Sequence, residues 1–355
     1  HTKVAAMTRE RIADLCRWIL GAVFCFSGIV KCVDPVGTAV FVEKYLATYS
    51  LGALLGVAIY IAVTLSVVEF SLGVLLLSGR PHRITTIATT LFMAVFTIIT
   101  LLSATVLPIG DCGCFGDAVR LTPVQTLLKN LLLLPMAVLM FAYSEKGHIS
   151  YVALLSAVVL SLGVSLYSLR HQPIIDFMPY TTTTNLREGV AQHRAKVEES
   201  VANILIFKHK ATGQSVEFDA SNVECWSNPD LEYVDSRVES DTARFPLAEL
   251  VVADAAGEDV TLELLERSGR VAWLTIYDAK ALRRSLAHVR SFVASDCCDS
   301  YVVVTSLDVD AVSKLLGVEC YEADAMTLRT MNRSKVGVMI LDDGVIVRKS
   351  DVRDI

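Results

Sequence analysis

The chain has 355 residues, 53% of them hydrophobic and only 20% charged, with a mean hydropathy of +0.50 and a net charge of −6. That length allows two or three domains, and that apolarity excludes an ordinary soluble protein. The negative balance argues against a nucleic-acid footprint. Nine cysteines without a C-x-x-C pair do not make a disulfide-dense scaffold.

The apolar excess is confined to about residues 12–169. Spanning the hydrocarbon takes about 20 apolar residues. A first span runs from Ile12 to Val33, with Arg17 and Lys31 placed to snorkel toward opposite interfaces, and Asp34-Pro35 ends it. It lacks a small-residue cleavage site and is followed by further spans, so it reads as a span and not as a cleaved leader; Met7 reads as a natural start. Phe41, Tyr45 and Tyr49 recur at helical spacing and predict a short interfacial helix with an aromatic belt.

The second span, Leu54 to Leu77, carries one charge, Glu69, and a third runs from Ile84 to Ile109. It delivers the chain into Asp111-Cys112-Gly113-Cys114-Phe115-Gly116-Asp117. A fourth span, Val124 to Tyr143, carries Lys129 and Asn130; a fifth, Ile149 to Leu169, has no charge. Seven Lys/Arg flank one side of these spans (Lys3, Arg9, Arg11, Arg17, Arg80, Arg83, Lys146) and three the other (Lys31, Lys44, Arg120). This bias predicts a multi-pass inner-membrane protein with a cytoplasmic N-terminus and a periplasmic C-terminal domain. The cysteine loop then faces an oxidising space, where disulfide chemistry is permitted.

Beyond Pro173 the chain becomes polar. Segments 203–207 and 215–218 flank a Gly-containing turn and predict a hairpin. From about residue 248, strands (Val271 to Tyr277, Tyr301 to Thr305, Val336 to Leu341) alternate with helix-periodic stretches (Leu282 to Val293, Val309 to Leu316), and Asp342-Asp343-Gly344 turns into a last strand. That order predicts a small α/β domain ending in a hairpin. The predicted layout is a cytoplasmic N-terminus (1–11), a four-helix transmembrane domain (12–145) and a fifth helix (146–172). A β-rich linker region (173–247) and a soluble domain (248–355) follow.

Two thiols separated by one glycine can close a small disulfide, exchange it with a partner thiol, or share a soft metal. Without a nearby histidine or third cysteine, no metal is predicted. The alternatives to a redox pair Cys112/Cys114 are a permanently oxidised clip and a partner-docking loop. An intramembrane carboxylate such as Glu69 either moves protons or is a hydrogen-bonded packing group, protonated and held by a threonine of the third span. Lys31 and Lys129 read either as anion- or quinone-head contacts or as snorkelling residues. Cys16, Cys25 and Cys32 read as packing, with Cys32 placed near the two-thiol loop. The adjacent Cys297-Cys298 read as structural, and a bond from one of them to Cys225 or Cys320 is open, since spacing does not give pairing.

Ser27-Gly28-Ile29-Val30-Lys31 with Asp34-Pro35, Val68-Glu69-Phe70-Ser71-Leu72-Gly73, the cysteine loop and Lys129-Asn130 together resemble the DoxX/MauE group of four-helix membrane proteins, over residues 10–145. The resemblance implies thiol-, thiosulfate- or quinone-linked redox work, with the MauE-like branch tied to disulfide formation in exported proteins. Quinone is the implied cofactor, with Glu69, Lys31, Lys129 and Asn130 as its contacts. An exported thiol protein or an envelope-complex subunit is the implied partner, beside membrane lipid. The distal part, 248–355, is similar to a membrane-tethered thioredoxin-like domain of the TlpA type, with Leu250 to Leu265 as its opening hairpin. Where that type has two cysteines, this chain has Asp278-Ala279-Lys280-Ala281, and Lys335-Val336-Gly337 stands where a proline is expected. Such a domain would bind a partner and not shuttle electrons. Two other readings are a non-catalytic subunit docking through this domain, and a small-molecule carrier or sensor with a bundle cavity.

Overall fold

The computed structural model describes residues 2–106, 113–119, 121–144, 147–200, 202–210, 212–220, 224–239 and 245–355. The chain folds as two units, residues 1–178 and 179–353. Asp111, Cys112, Arg120 and Lys146 lie outside the described residues, and with them the predicted Cys112–Cys114 bond.

The first unit is helical: α1 (Thr2–Val33), α2 (Pro35–Thr48), a 3₁₀ turn (Gly52–Val57), α3 (Ala58–Leu77), α4 (Arg83–Thr105), α5 (Pro123–Tyr143) and α6 (Tyr151–Arg170). Among the described residues, five helices are long and apolar enough to cross a membrane, Gly52–Leu77 counting the 3₁₀ turn as the start of the second. Asp34 starts α2 by accepting the Gly37 N–H at 2.9 Å, with Pro35 in the first turn. Thr122 and Gln125 form a reciprocal capping box at α5.

Lipid tails are as apolar as leucine, so helices here associate through close packing and polar contacts. The α1 and α3 backbones cross closely at two glycines. A Cβ added at Gly28 would meet the Phe70 backbone N at 2.5 Å, and one at Gly73 would meet the Cys25 N at 2.5 Å. Below this crossing Cys16, Leu20, Phe24, Leu72, Leu76, Met93, Leu133, Ala137 and Met140 form the bundle core. The fifth span does more than tether: Ala157, Ser161, Ser165 and Ser168 make one buried face, and α6 packs on α1 and α3.

The second unit opens with α7 (Leu186–Ser200), a helix the sequence reading leaves inside the β-rich stretch. Leu186 and Val190 bury it, and its Arg187 donates to the Leu265 carbonyl at 2.8 Å. A three-stranded antiparallel sheet follows, with β1 (Ala202–His209) between β2 (Ser215–Asp219) and β3 (Leu231–Glu239), and the short α8 (Glu224–Ser227) before β3. The predicted hairpin is β1–β2. The predicted hairpin over 250–265 is a correction: one bridge, Ala253 to Asp259, closes a turn, and α9 (Thr261–Glu266) takes up the rest.

The remaining elements are β4 (Arg270–Ile276), α10 (Ala279–Val293), β5 (Ser300–Thr305), α11 (Val309–Leu316), β6 (Cys320–Glu322), α12 (Ala325–Met331), β7 (Val336–Asp342) and β8 (Val345–Asp351). The sheet order is β6-β5-β4-β7-β8, with β4, β5 and β6 parallel and β7 antiparallel to β4 and to β8. Trp273, Leu274 and Ile276 are wholly buried, each contributing about 1.5–3 kcal/mol. Asp343 and Gly344 both take positive φ, as a two-residue hairpin turn between β7 and β8 requires.

Candidate functional site: a polar-capped cavity beneath the cysteine loop

Within the bundle lies a cavity of about 450 Å³. Its walls are apolar and aromatic, among them Phe41, Tyr45, Tyr49, Phe92, Phe96 and Leu133. Phe41, Tyr45 and Tyr49, predicted as an interfacial belt, instead turn inward onto this space. Phe41 is 7% exposed, and a Cβ on Gly113 would come within 2.4 Å of its ring, so α2 packs against the cysteine loop.

The polar groups sit in two clusters. In the first, the α1–α3 crossing sets Ser27 and Lys31, one helical turn apart, against Glu69. The Lys31 ammonium donates to Glu69 Oε2 at 2.7 Å, Ser27 Oγ at 2.6 Å and the Cys114 carbonyl at 2.6 Å, so all three of its N–H groups have acceptors. The Ser27 hydroxyl lies 2.5 Å from Glu69 Oε2 and 2.7 Å from the Cys114 carbonyl, within donating distance of either. Lys31 and Glu69 are each 4% exposed.

Two readings of the sequence are corrected here. Lys31 is not a snorkelling residue: Glu69 and the loop carbonyl hold its charge inside the bundle. Glu69 is not bonded to a threonine of the third span; its partners are Ser27 and Lys31. A buried pair is tolerated here because each charge is directly compensated and hydrogen-bonded.

The second cluster comes from α5. Lys129 Nζ lies 4.4 Å from the centre of the Phe115 ring, a cation–π contact. Asn130 donates to Thr100 Oγ1 at 3.2 Å. Lys31, Glu69, Lys129, Asn130 and Cys114 all border the cavity, so the predicted residues that are described converge on one space. Cys32 does not line it; this thiol is buried elsewhere in the bundle.

The loop itself is shaped for close approach. Gly113 and Gly116 take φ of +60° and +52°, which side-chain-bearing residues rarely adopt. The Gly116 N–H bonds the Gly113 carbonyl at 3.0 Å, a bridge joins Phe115 to Val119, and the Phe115 ring packs on Phe26 with centroids 5.4 Å apart.

Sequence reasoning missed Ser27 and the aromatic lining as site components. The signal for Ser27 was its spacing, four residues before Lys31 and beside the Gly28 contact point.

Residues 9–143 match the family described as methylamine utilisation protein MauE. The N-terminal part is therefore a MauE-type membrane domain, and its bounds enclose both polar clusters and the loop. Protein TlpB of Flavobacterium psychrophilum is 27% identical over 137 residues, 37% of this chain and 37% of that protein. The chain thus covers little more than a third of that relative. No solved structure matches the chain.

In the second unit, Asp278 caps α10 by accepting the Ala281 N–H at 2.8 Å and pairs with Lys335 at 2.9 Å. These are the positions where the resemblance read from the sequence led to the expectation of a dithiol and a proline. Burial acts to raise the Asp278 carboxyl, but the Ala281 N–H, Lys335 and the Lys280 N–H outweigh it and hold the pKa below the usual carboxylate range.

Proposed function

We propose that the MauE-type domain is the membrane half of a thiol-redox system, in which the Cys112/Cys114 loop exchanges disulfides with an exported thiol protein and the bundle cavity takes the ring of a membrane quinone as electron partner. One observation carries this reading: the Lys31 ammonium spans from buried Glu69 to the backbone carbonyl of Cys114. The polar end of an apolar cavity and the sulfur loop thus share a single hydrogen-bonded group. A cavity of about 450 Å³ is in the range of small-molecule sites, which are mostly apolar with a few converging polar groups. A quinone ring with an isoprenoid tail has that polarity.

Lys31, Glu69, Lys129 and Asn130 would hold the quinone ring, which would supply a two-electron acceptor for the loop. Cys112 and Cys114 would pass two electrons and two protons to it as their disulfide closes. The Lys31–Glu69–Ser27 group would supply a proton on the cavity side. The oxidised loop is then available to a partner dithiol. The reading also takes the periplasmic side for the loop, from the Lys/Arg bias.

The test uses the purified full chain in lipid nanodiscs with decylubiquinone and dithiothreitol. Dithiol-dependent quinone reduction is expected, abolished by Cys114→Ser and lowered about tenfold or more by Glu69→Gln, in line with a positioned proton donor contributing 10²–10⁴-fold. Equal rates in the intact protein and Cys114→Ser would discard the reading.

A second reading concerns the distal domain. The strand order β5-β4-β7-β8 is compatible with a thioredoxin-like reading of this domain, in which the Asp278–Lys335 ion pair would stand where a dithiol is expected. This supports a docking role at that end of the sheet, as in a non-catalytic envelope-complex subunit. Loss of co-purifying protein on Asp278→Ala with Lys335→Ala, without loss of quinone reduction, is the expected signature.

A further inference from the structure

The Cys297-Cys298 loop has chemistry of its own, away from the Asp278 end of the sheet. Because β4 and β5 are parallel, with Val271 opposite Ser300, residues just before β5 lie at the end opposite Asp278, which follows β4. The loop is pinned to the start of β4: the Asp299 N–H donates to the Arg270 carbonyl at 2.8 Å, and its carboxylate accepts the Arg270 N–H at 2.7 Å. Both Cys297 and Cys298 carry thiols, as does buried Cys320, so the bond to Cys225 or Cys320 left open by the sequence is not made.

The two sulfurs lie 3.6 Å apart. Cys297 faces solvent, and its Sγ is 3.2 Å from the Ser295 hydroxyl and 3.5 Å from the Tyr301 hydroxyl. Tyr301 is itself fixed: its hydroxyl bonds the Ser295 carbonyl, and its ring meets Phe292 edge-on at 5.6 Å. A cysteine kept for packing is buried and inert. This one is exposed, beside a second sulfur, with two hydroxyl oxygens within 3.5 Å of it.

We infer that Cys297 and Cys298 form a second redox dithiol, in which Cys297 attacks the disulfide of an incoming partner and Cys298 resolves the mixed disulfide by closing a vicinal Cys297–Cys298 bond. In the first step the Cys297 thiolate bonds one partner sulfur and expels the other as thiolate. In the second, Cys298 loses its proton to water and its sulfur attacks Cys297 Sγ, releasing the remaining partner thiolate. Two electrons pass from the dithiol to the partner disulfide. The division of labour agrees with the surroundings. Burial acts to raise the Cys297 thiol, but the bonds from Ser295, Tyr301 and Cys298 outweigh it and its pKa falls below the ordinary value. Cys298, desolvated and beside Cys297, is pushed up to about 11. A ring closed over a single peptide bond is strained, and strained disulfides are the labile, regulatory kind. The inference is independent of the quinone reading.

The test titrates the full-length chain in detergent, both intact and carrying Cys112→Ser with Cys114→Ser, against graded ratios of reduced and oxidised glutathione. Acid quenching, alkylation and mass spectrometry of the peptide spanning residues 297 and 298 follow. Expected is reversible loss of two hydrogens from that peptide, equal in both proteins. In timed quenches, the Cys298→Ser chain should take up glutathione on Cys297 faster than Cys297→Ser takes it up on Cys298, following the thiolate fractions. Two sulfurs that stay alkylatable at every ratio, or glutathione that remains on Cys297 while Cys298 is present, would overturn the proposal. Failure of quinone reduction with a reversible 297–298 bond would discard the membrane reading alone.

Discussion

At the scale of single residues, the outcome is governed by how buried charge is compensated. Lys31 is buried, and its three protons go to a carboxylate, a hydroxyl and a carbonyl. Removing one member leaves the other charge stranded, a loss of about 3–5 kcal/mol, whereas replacing both with apolar groups is often near neutral. Lys31→Met is therefore expected to unfold at markedly lower denaturant than Lys31→Met with Glu69→Met, read by helical circular dichroism in detergent. Equal stabilities would mean that the pair is not coupled. Asp278 gives a pH prediction of definite sign. Its folded pKa is depressed, so its contribution is present above the unfolded Asp value near 4 and lost as pH falls through the folded value. The stability gap between the native chain and Asp278→Asn should be full at pH 6 and close in strong acid. At the distal dithiol, Tyr301→Phe removes a hydrogen bond to Cys297. Slower alkylation of Cys297 at pH 7 is expected, with Cys298 unchanged.

At the scale of elements, two glycine contacts decide where the site forms. Gly28 against Phe70 and Gly73 against Cys25 bring the α1 and α3 backbones together and so carry Ser27 and Lys31 to Glu69. Gly28→Leu places a side chain where backbone atoms stand, and overpacking of this kind typically costs about 1–3 kcal/mol. More telling than stability is the expected loss of the Lys31–Glu69 pair, visible as Glu69 becoming reactive to a carbodiimide. The cysteine loop has the same sensitivity at Gly113, where a positive φ coincides with contact to Phe41. Left-handed backbone costs a side-chain-bearing residue about 1–2 kcal/mol before the clash is counted. Spans were legible because length and apolarity suffice to mark a helix that crosses lipid. The polar helix α7 was not, because its pattern of charged and small residues buries only Leu186 and Val190.

At the scale of the whole molecule, the membrane unit sets Cys114 of its loop at the border of an apolar cavity. Filling that space without touching the polar groups separates binding from fold. Ile99→Trp is expected to lower decylubiquinone binding severalfold in nanodiscs while leaving the melting temperature nearly unchanged. Undiminished binding would place the ligand elsewhere.

Taken by itself, the amino-acid sequence determined what depends on local composition and period. The membrane spans, the polar turn at the cysteine loop, the β1–β2 hairpin and the strand–helix alternation of the distal domain all follow from which side chains recur at helical or strand spacing. It also named Lys31, Glu69, Lys129, Asn130 and Cys114, since charge, amide and thiol in apolar surroundings are conspicuous. Which of these meet was decided only by the tertiary structure. Snorkelling and buried pairing require the same Lys31 in the same span, and the choice rests on a helix crossing that two distant glycines permit. The inward turn of Phe41 and the closeness of Cys297 to Tyr301 have the same origin: contact between residues far apart in the chain, or on opposite sides of a loop, is a property of packing, which no local pattern encodes.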